Sequence, residues 1–376
     1  MPARRYLDIH VLQTVPPSNL NRDDAGSPKQ AIYGGARRAR VSSQAWKRAT
    51  RTAFAERVPK ADLATRTKQI SDLLTKRLTE AHDLAVPDAA RISNALLKPL
   101  GIKASKKNAE QTSYLLFFGY PQLAAIAETI SGRIGELIGL DDAALDKAVE
   151  EVDVKAILGT GHPVDVALFG RMVADIPNLN VDAACQVAHA ISTHPVEIEF
   201  DYYTAVDDEN TDNKGAGMIG TVEFNSATLY RYATLGLQQL EDNLGGANEV
   251  PDAVELFVDC FARSIPSGHG NSFAHRTLPS LVAVVAREDQ PVNLVSAFEK
   301  PVRSRDGVLA ESAARLAAEL ASATDNWGQA PTRVLACYNE STEDLSAVFG
   351  ASQPFPDLLT DLKAFTAEWL GQGSTR

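Results

Sequence analysis

The stretch 32–49 reads IYGGARRARVSSQAWKRA, and it gathers the residue types that hold a phosphate. Ser42 and Ser43 stand where a helix is set to begin, and either is a natural N-cap. The first turn of such a helix leaves backbone N–H groups unpaired and carries a partial positive charge, which suits an anion. The serine hydroxyls add donors. Gln44, Lys47, Arg48 and Arg51 fall within about 100° of one another on the helix, opposite Trp46, Ala49 and Ala53. Lys47 and Arg51 on one edge suit successive phosphates of one strand. Gly34-Gly35 permits close backbone approach.

Charge placement sharpens this. The window 25–55 holds Lys29, Arg37, Arg38, Arg40, Lys47, Arg48 and Arg51 and no Asp or Glu, while the 376-residue chain has a net charge of -11. With the window's +7 set aside, the remainder carries -18. An acidic total argues against indiscriminate polyanion binding, and a basic island argues for one anionic ligand held at one place. A solvated helix face has the same composition, so composition alone leaves both open.

Other groupings carry less. Asp23-Asp24 in the loop 16–29 are paired carboxylates that suit Mg²⁺ or acid/base work, but no third acid or His accompanies them, so a turn pairing with Arg22 is expected. Asp207-Asp208-Glu209 reads as a solvated hairpin tip. GAGMIG (215–220) fits G-x-G-x-x-G, yet it follows a polar loop and precedes strand-like TVEFNS, the wrong context for a dinucleotide site. The seven histidines are dispersed. His189 and His194 are badly spaced for a shared metal, His162 reads as a turn residue, and His269 and His275 lack a partner set. Cys185, Cys260 and Cys337 show no ligand spacing and suit scattered thiols in a reducing cytosol. Neither G-x-S-x-G nor H-E-x-x-H occurs. The reading expects no catalytic residue, no cofactor and no metal.

The elements that position these residues follow from periodicity. Residues 6–14 alternate, with Leu7, Ile9 and Val11 on one face and Asp8 and His10 on the other, which predicts a half-buried strand rather than a signal peptide. No run of about 18 apolar residues occurs, so no membrane span is expected. Residues 39–41 form a short strand entering the cationic helix. From 60 to 193 the patterns are almost all helical, with segments at 108–118, 120–132, 141–158, 163–175 and 182–192. Segments 196–206 and 218–233 are strand arms of a protruding hairpin, with Tyr202, Tyr203 and Thr204 on the first arm. Aromatics there suit base stacking, but on the residues alone a sheet taking one Tyr on each face is the preferred reading. Helices follow at 254–262, 307–323 and 357–370, with a buried strand at 278–287. The sum is an α+β fold with a helical insertion.

Taken as a set, LNRDD (20–24), IYGGARRARVSSQAWKRA (32–49), DVALFGRM (165–172), AHAISTH (188–194), DYYTAVDD (201–208), NLGGA (243–247) and AFEKPV (297–302) resemble the CasC family. CasC is the backbone subunit of the type I-E CRISPR Cascade surveillance complex. The resemblance implies a modified ferredoxin-like, RNA-recognition-motif-like palm in three parts (1–59, 188–194 and 224–376). It implies a helical fingers insertion at 60–187 and a β-hairpin thumb at 195–223. It also implies the site residues. Lys29, Ser42, Gln44, Lys47 and Arg51 match positions that hold the RNA backbone, and Asn21 and Arg22 match the loop beside it. Met172 matches the residue that wedges between bases. Tyr202, Tyr203 and Thr204 match the thumb residues at the RNA kink, where the family often has Trp-Phe-Thr. The implied partners are CRISPR RNA, target DNA through the guide, and further copies of the chain head to tail. The large, small, repeat-processing and 5′-handle-binding subunits join them, and a nuclease-helicase is met indirectly, all in the cytoplasm. Rival readings are a ribonuclease using Asp23 or Asp24 and a nucleotide-binding enzyme resting on GAGMIG.

Overall fold

A computed structural model describes residues 4–101, 115–173, 176–206, 216–328, 330–339 and 342–371. The chain forms two compact units. Met1–Ala53, Gln186–Gly236 and Val254–Arg376 make the first, and Phe54–Cys185 with Leu237–Ala253 the second. Residues 237–253, read from sequence as palm, thus fall in the helical unit. No helix among the described residues is long and apolar enough to cross a membrane.

The strands in chain order are β1 (Tyr6–Ser18), β2 (Gln30–Tyr33), β3 (Ala36–Val41), β4 (Ala64–Thr67), β5 (Leu116–Gly119), β6 (Cys185–Val187), β7 (Ala190–Ser192), β8 (Glu199–Val206), β9 (Ala216–Gly236), β10 (Leu281–Arg287) and β11 (Arg333–Tyr338). The first unit is built on a sheet of order β11-β10-β1-β9-β7-β3-β2, with β6 and β8 attached to β9. The described pairings are antiparallel. Pro16-Pro17 lie inside β1, at the register shift between Val15 and Ser18, so the strand runs past the point where the sequence suggested a loop. Two residues without an N–H are tolerated at such an irregularity, where the ladder is already interrupted.

β1 is buried on both faces, which corrects the half-buried expectation. Asp8, His10 and Gln13 have no exposed surface. The polar face survives because it is hydrogen-bonded. Asp8 accepts from Tyr232 Oη at 2.8 Å, Arg287 Nε at 3.1 Å and the Val292 amide at 2.8 Å. His10 Nδ1 lies 2.9 Å from Tyr230 Oη. Burial pushes the His10 pKa down to about 3, and raises that of Asp8 despite its partners. Around this network Leu12, Tyr230, Leu294, Phe298, Leu316 and Leu320 form an apolar cluster.

The second unit is helical, with Ile70–His82, Val86–Leu97, Tyr120–Thr129, Asp142–Val149, Val154–Gly159 and Val164–Phe169 among its helices and a small β4–β5 sheet. Leu74, Leu78, Ile92, Leu96, Phe118 and Ile126 lie in its core. The expected helix at 182–192 is instead β6 and β7. Ile191 and Ser192 pair with Tyr230 and Leu229 of β9, and Ala190 and Ile191 with Val41 and Arg40 of β3, so tertiary pairing overrides a weak helical period. The expected helix at 108–118 falls largely outside the described residues, and its described end belongs to β5.

Candidate nucleic-acid interface

β2 and β3 form a hairpin whose two-residue turn is Gly34-Gly35, both at positive φ (56° and 71°). That is the backbone of a tight primed turn, which glycine adopts without strain. A Cβ on Gly34 would sit 1.5 Å from the carbonyl oxygen of Glu299. The close approach expected of this pair is therefore to the protein's own backbone. Arg38, counted above among the island's cations, is fully buried. It donates to the carbonyls of Ser192 (2.8 Å), Phe298 (2.7 Å) and Glu299 (3.3 Å). IYGGARRAR and AFEKPV are thus joined into one structural lock.

The chain leaves β3 directly into the cationic helix, α1 (Ser43–Phe54). Ser42 is the N-cap: its Oγ accepts from the Ala45 amide at 3.2 Å. The next donors are also engaged. The Ser42 amide donates to Asn21 Oδ1 at 2.9 Å and the Ser43 amide to His189 Nδ1 at 2.8 Å. Asn21 and Ser42 hence close the helix end from within the protein. Trp46, Thr50 and Phe54 form the buried side of α1, rather than Trp46, Ala49 and Ala53 as the periodicity suggested. Arg231 lies 3.8 Å from the Trp46 ring centroid and 4.5 Å from that of Phe261, filling the space beneath the helix. Gln44 and Arg48 are exposed, and Lys47 and Arg51 half-exposed, on the remaining sides.

The loop from Asn21 to Lys29 packs beside β3. The Lys29 amide donates to the Asn21 carbonyl, and the Arg40 amide to the Lys29 carbonyl. Arg22 Nη1 donates to His269 Nε2 at 3.0 Å, which gives one residue of SGHGNSFAH a role the sequence did not disclose. Asp23 Oδ1 accepts from the amides of Ala25 and Ser27, so this carboxylate organises the turn. Among the described residues no group of three His, Cys, Asp or Glu forms a metal site.

β9 is one strand of 21 residues. Its second half pairs with β1 in the sheet, and its first half pairs with β8 from Glu199↔Phe224 to Val206↔Ala216, making the expected hairpin. Residues 207–215 lie outside the described residues, and with them the expectation of a solvated tip at Asp207-Asp208-Glu209 and the first glycine of GAGMIG. Tyr202 is 62% exposed and Tyr203 46%. Tyr203 lies across Gly220, where a Cβ would come within 2.4 Å of its ring. The last glycine of GAGMIG thus makes room for an aromatic ring. Phe200, missed in the sequence reading, is 67% exposed, and strand alternation puts it on the same face as Tyr202 and Thr204.

In the helical unit, DVALFGRM is a device for presenting one side chain. Asp165 is buried and accepts from the Ala64 amide. Gly170 turns the chain at φ 73°, where a Cβ would meet the Val181 carbonyl at 2.7 Å. Arg171 is buried and donates to the carbonyls of Phe117, Leu158 and Leu179. Met172 is left 85% exposed. Its neighbours Arg171 and Val173 are both buried, so Met172 alone of the three reaches solvent.

His189 is the other residue that sequence reasoning passed over. Because the Ser43 amide occupies Nδ1, the neutral ring carries its proton on Nε2. Burial, Arg40 and Lys29 all lower its pKa. Only the fold brings residue 189 to the start of α1, so its spacing from His194 carried no signal.

A family model described as CT1975-like protein (Cas_CT1975) matches residues 7–360. The chain belongs to the CT1975-like protein family. No curated protein matches it. Two solved structures resemble this CT1975-like chain closely. One is a chain of a CRISPR RNA-guided surveillance complex in a pre-nicking state, with 32% identity and a TM-score of 0.78, covering 96% of this chain and 100% of that one. The second is a chain of a CRISPR RNA-guided surveillance complex, with 30% identity and a TM-score of 0.73, covering 96% and 99%. The CT1975-like chain therefore shares fold and family with subunits of such complexes across nearly its whole length.

Proposed function

We propose that this chain is the CRISPR RNA-binding backbone subunit of a type I-E Cascade complex and has no catalytic role of its own. The observation that carries the reading is the cationic helix α1, which leaves Gln44 and Arg48 exposed and Lys47 and Arg51 half-exposed, beside the loop that ends at Lys29. Phosphate contacts position a strand without reading it, as a guide with variable spacers requires. Recognition then passes to Watson–Crick pairing of exposed bases with target DNA. Copies meeting head to tail make a heterologous contact, which yields an open helical array along the RNA. In this reading the sheet of the first unit is a ferredoxin-like palm, the hairpin a thumb and Met172 a wedge between bases. The other Cascade subunits cap the array, in the cytoplasm, and a nuclease-helicase is recruited to the whole. The turn hydrogen bonds held by Asp23 support a structural role for that carboxylate.

The test is guide binding by the full chain with spacers of unrelated sequence. Lys47→Ala and Arg51→Ala weaken binding equally for all spacers, and each lowers the log–log salt slope by roughly 0.7. A loss that depends on spacer sequence overturns the backbone grip. RNA co-purifying at uniform length with repeat-derived ends supports the complex assignment, and RNA of random length argues against it.

A further inference from the structure

His189 stands where β7, β3 and α1 meet. It directly precedes β7, one residue before the Val41↔Ala190 pair, so it lies at the point where β3 passes into the cationic helix. The Ser43 amide donates to its Nδ1 at 2.8 Å, which leaves the neutral ring a single proton, on Nε2. The residue is exposed, and Nε2–H meets no acceptor among the described residues. β2 flanks β3 on the other side. There the Arg40 amide donates to the Lys29 carbonyl at 2.9 Å and Arg40 Nε to the Gln30 carbonyl at 3.3 Å, and both cationic side chains are half-exposed. After burial, Arg40 and Lys29 are what lowers the His189 pKa, and no carboxylate acts against them. An exposed N–H thus shares its surroundings with two positive charges and no counter-acid.

We propose that His189 is a phosphate ligand: its Nε2–H donates to a non-bridging oxygen of the bound RNA, whose charge Lys29 and Arg40 neutralise. The inference rests on the RNA-binding reading and adds two residues to it, His189 and Arg40. The cap and the contact use opposite nitrogens of one ring. The bond from Ser43 holds that ring in place, so the donor is oriented before the strand arrives. A neutral donor suits this position, because an imidazolium has no acceptor for the Ser43 amide and is repelled by both cations. Water satisfies an exposed N–H but brings no charge to Lys29 and Arg40, whereas a phosphate oxygen answers all three.

The experiment measures binding of a mixed-sequence single-stranded RNA to the full chain at several salt concentrations, alongside thermal unfolding. His189→Asn supplies an acceptor near Nδ1 and no donor near Nε2. It keeps the melting temperature and binds RNA about fivefold more weakly, the usual net worth of one hydrogen bond. His189→Gln does the reverse, placing an N–H near the position of Nε2. It lowers the melting temperature as His189→Ala does, yet keeps wild-type affinity. No variant at 189 changes the salt slope, because a neutral ring releases no counterion, whereas Arg40→Gln lowers it by roughly 0.7. Affinity that follows the melting temperature across the three variants overturns the proposal, since His189 then acts only as a cap. Equal weakening by Asn and Gln overturns it as well, because a donor at the Nε2 position then makes no difference. Lys47→Ala separates the two claims. If it lowers affinity and slope while every variant at 189 binds as wild type, the backbone grip stands and the histidine contact falls. A wild-type chain that binds no RNA sinks both.

Discussion

The sheet edge around Asn21–Ser43 and the hairpin arm Phe200–Thr204 both belong to the first unit, yet they are built on opposite terms. At the sheet edge, conspicuous polar groups are engaged inside the protein: Ser42 by Ala45, Asn21 by Ser42, Arg38 by three carbonyls and Asp23 by its own turn. On the hairpin, Phe200, Tyr202 and Tyr203 stand in solvent on a two-stranded ribbon. The first arrangement fixes where the cations stand, and the second keeps apolar rings available. Part of the motif that looks like ligand chemistry in the sequence is therefore scaffold, and fewer of its polar groups are left uncommitted than its composition suggests.

Substitutions break this comparison most clearly at the sheet edge. Gly34→Ala drives a Cβ into the Glu299 carbonyl at a positive φ, and a loss of about 3 kcal/mol or more is expected in chemical denaturation. The same change at Gly35, which meets nothing within 4 Å, costs only the strain of its φ. Equal losses at the two positions would remove the lock with AFEKPV from the account.

The interior of the large sheet is also sensitive to pH. The folded pKa of His10 is lowered to about 3, so the unfolded chain, with its histidine near 6.5, binds the extra proton. Stability from this group is present in full above about pH 6.5 and is lost as pH falls toward 3. Between pH 7 and pH 5 it amounts to about 2 kcal/mol. His10→Gln reduces the measured fall in stability between pH 7 and pH 5 by that amount. Taking the difference between the two chains cancels Asp8, whose raised pKa acts in the opposite sense.

The hairpin responds differently. Tyr202→Ala leaves stability within about 0.5 kcal/mol. It weakens single-stranded RNA binding about tenfold with no change in salt slope, because a stacked ring contributes without charge. Tyr203→Ala has the smaller binding effect, since that ring already lies against Gly220. A fall in the slope for either variant would mean that the hairpin acts through charge.

The smallest effect is expected at His189. Asn places an acceptor near the position of Nδ1, so His189→Asn keeps the bond from the Ser43 amide and the melting temperature, whereas His189→Ala loses about 1 kcal/mol, the usual worth of a cap. Identical melting temperatures for the two variants would show that His189 does not cap α1.

The residue pattern alone determined a good deal: the strand entering a capped cationic helix, the hairpin with aromatics on its first arm, and the set of motifs that carries the family. These follow from local rules, because caps, glycine turns and period-two alternation act over a few residues. What only tertiary structure decided is which charges remain for a ligand. Arg38 and Arg40 are two residues apart in one strand, yet the first is buried against carbonyls more than 150 positions away and the second lines an open cleft. Gly34 fits against Glu299, His189 meets Ser43, and Asn225 lines the same cleft as Lys29 and Arg40, all through the meeting of distant segments. Such contacts depend on how strands are ordered in the sheet, and neither composition nor spacing encodes that order locally.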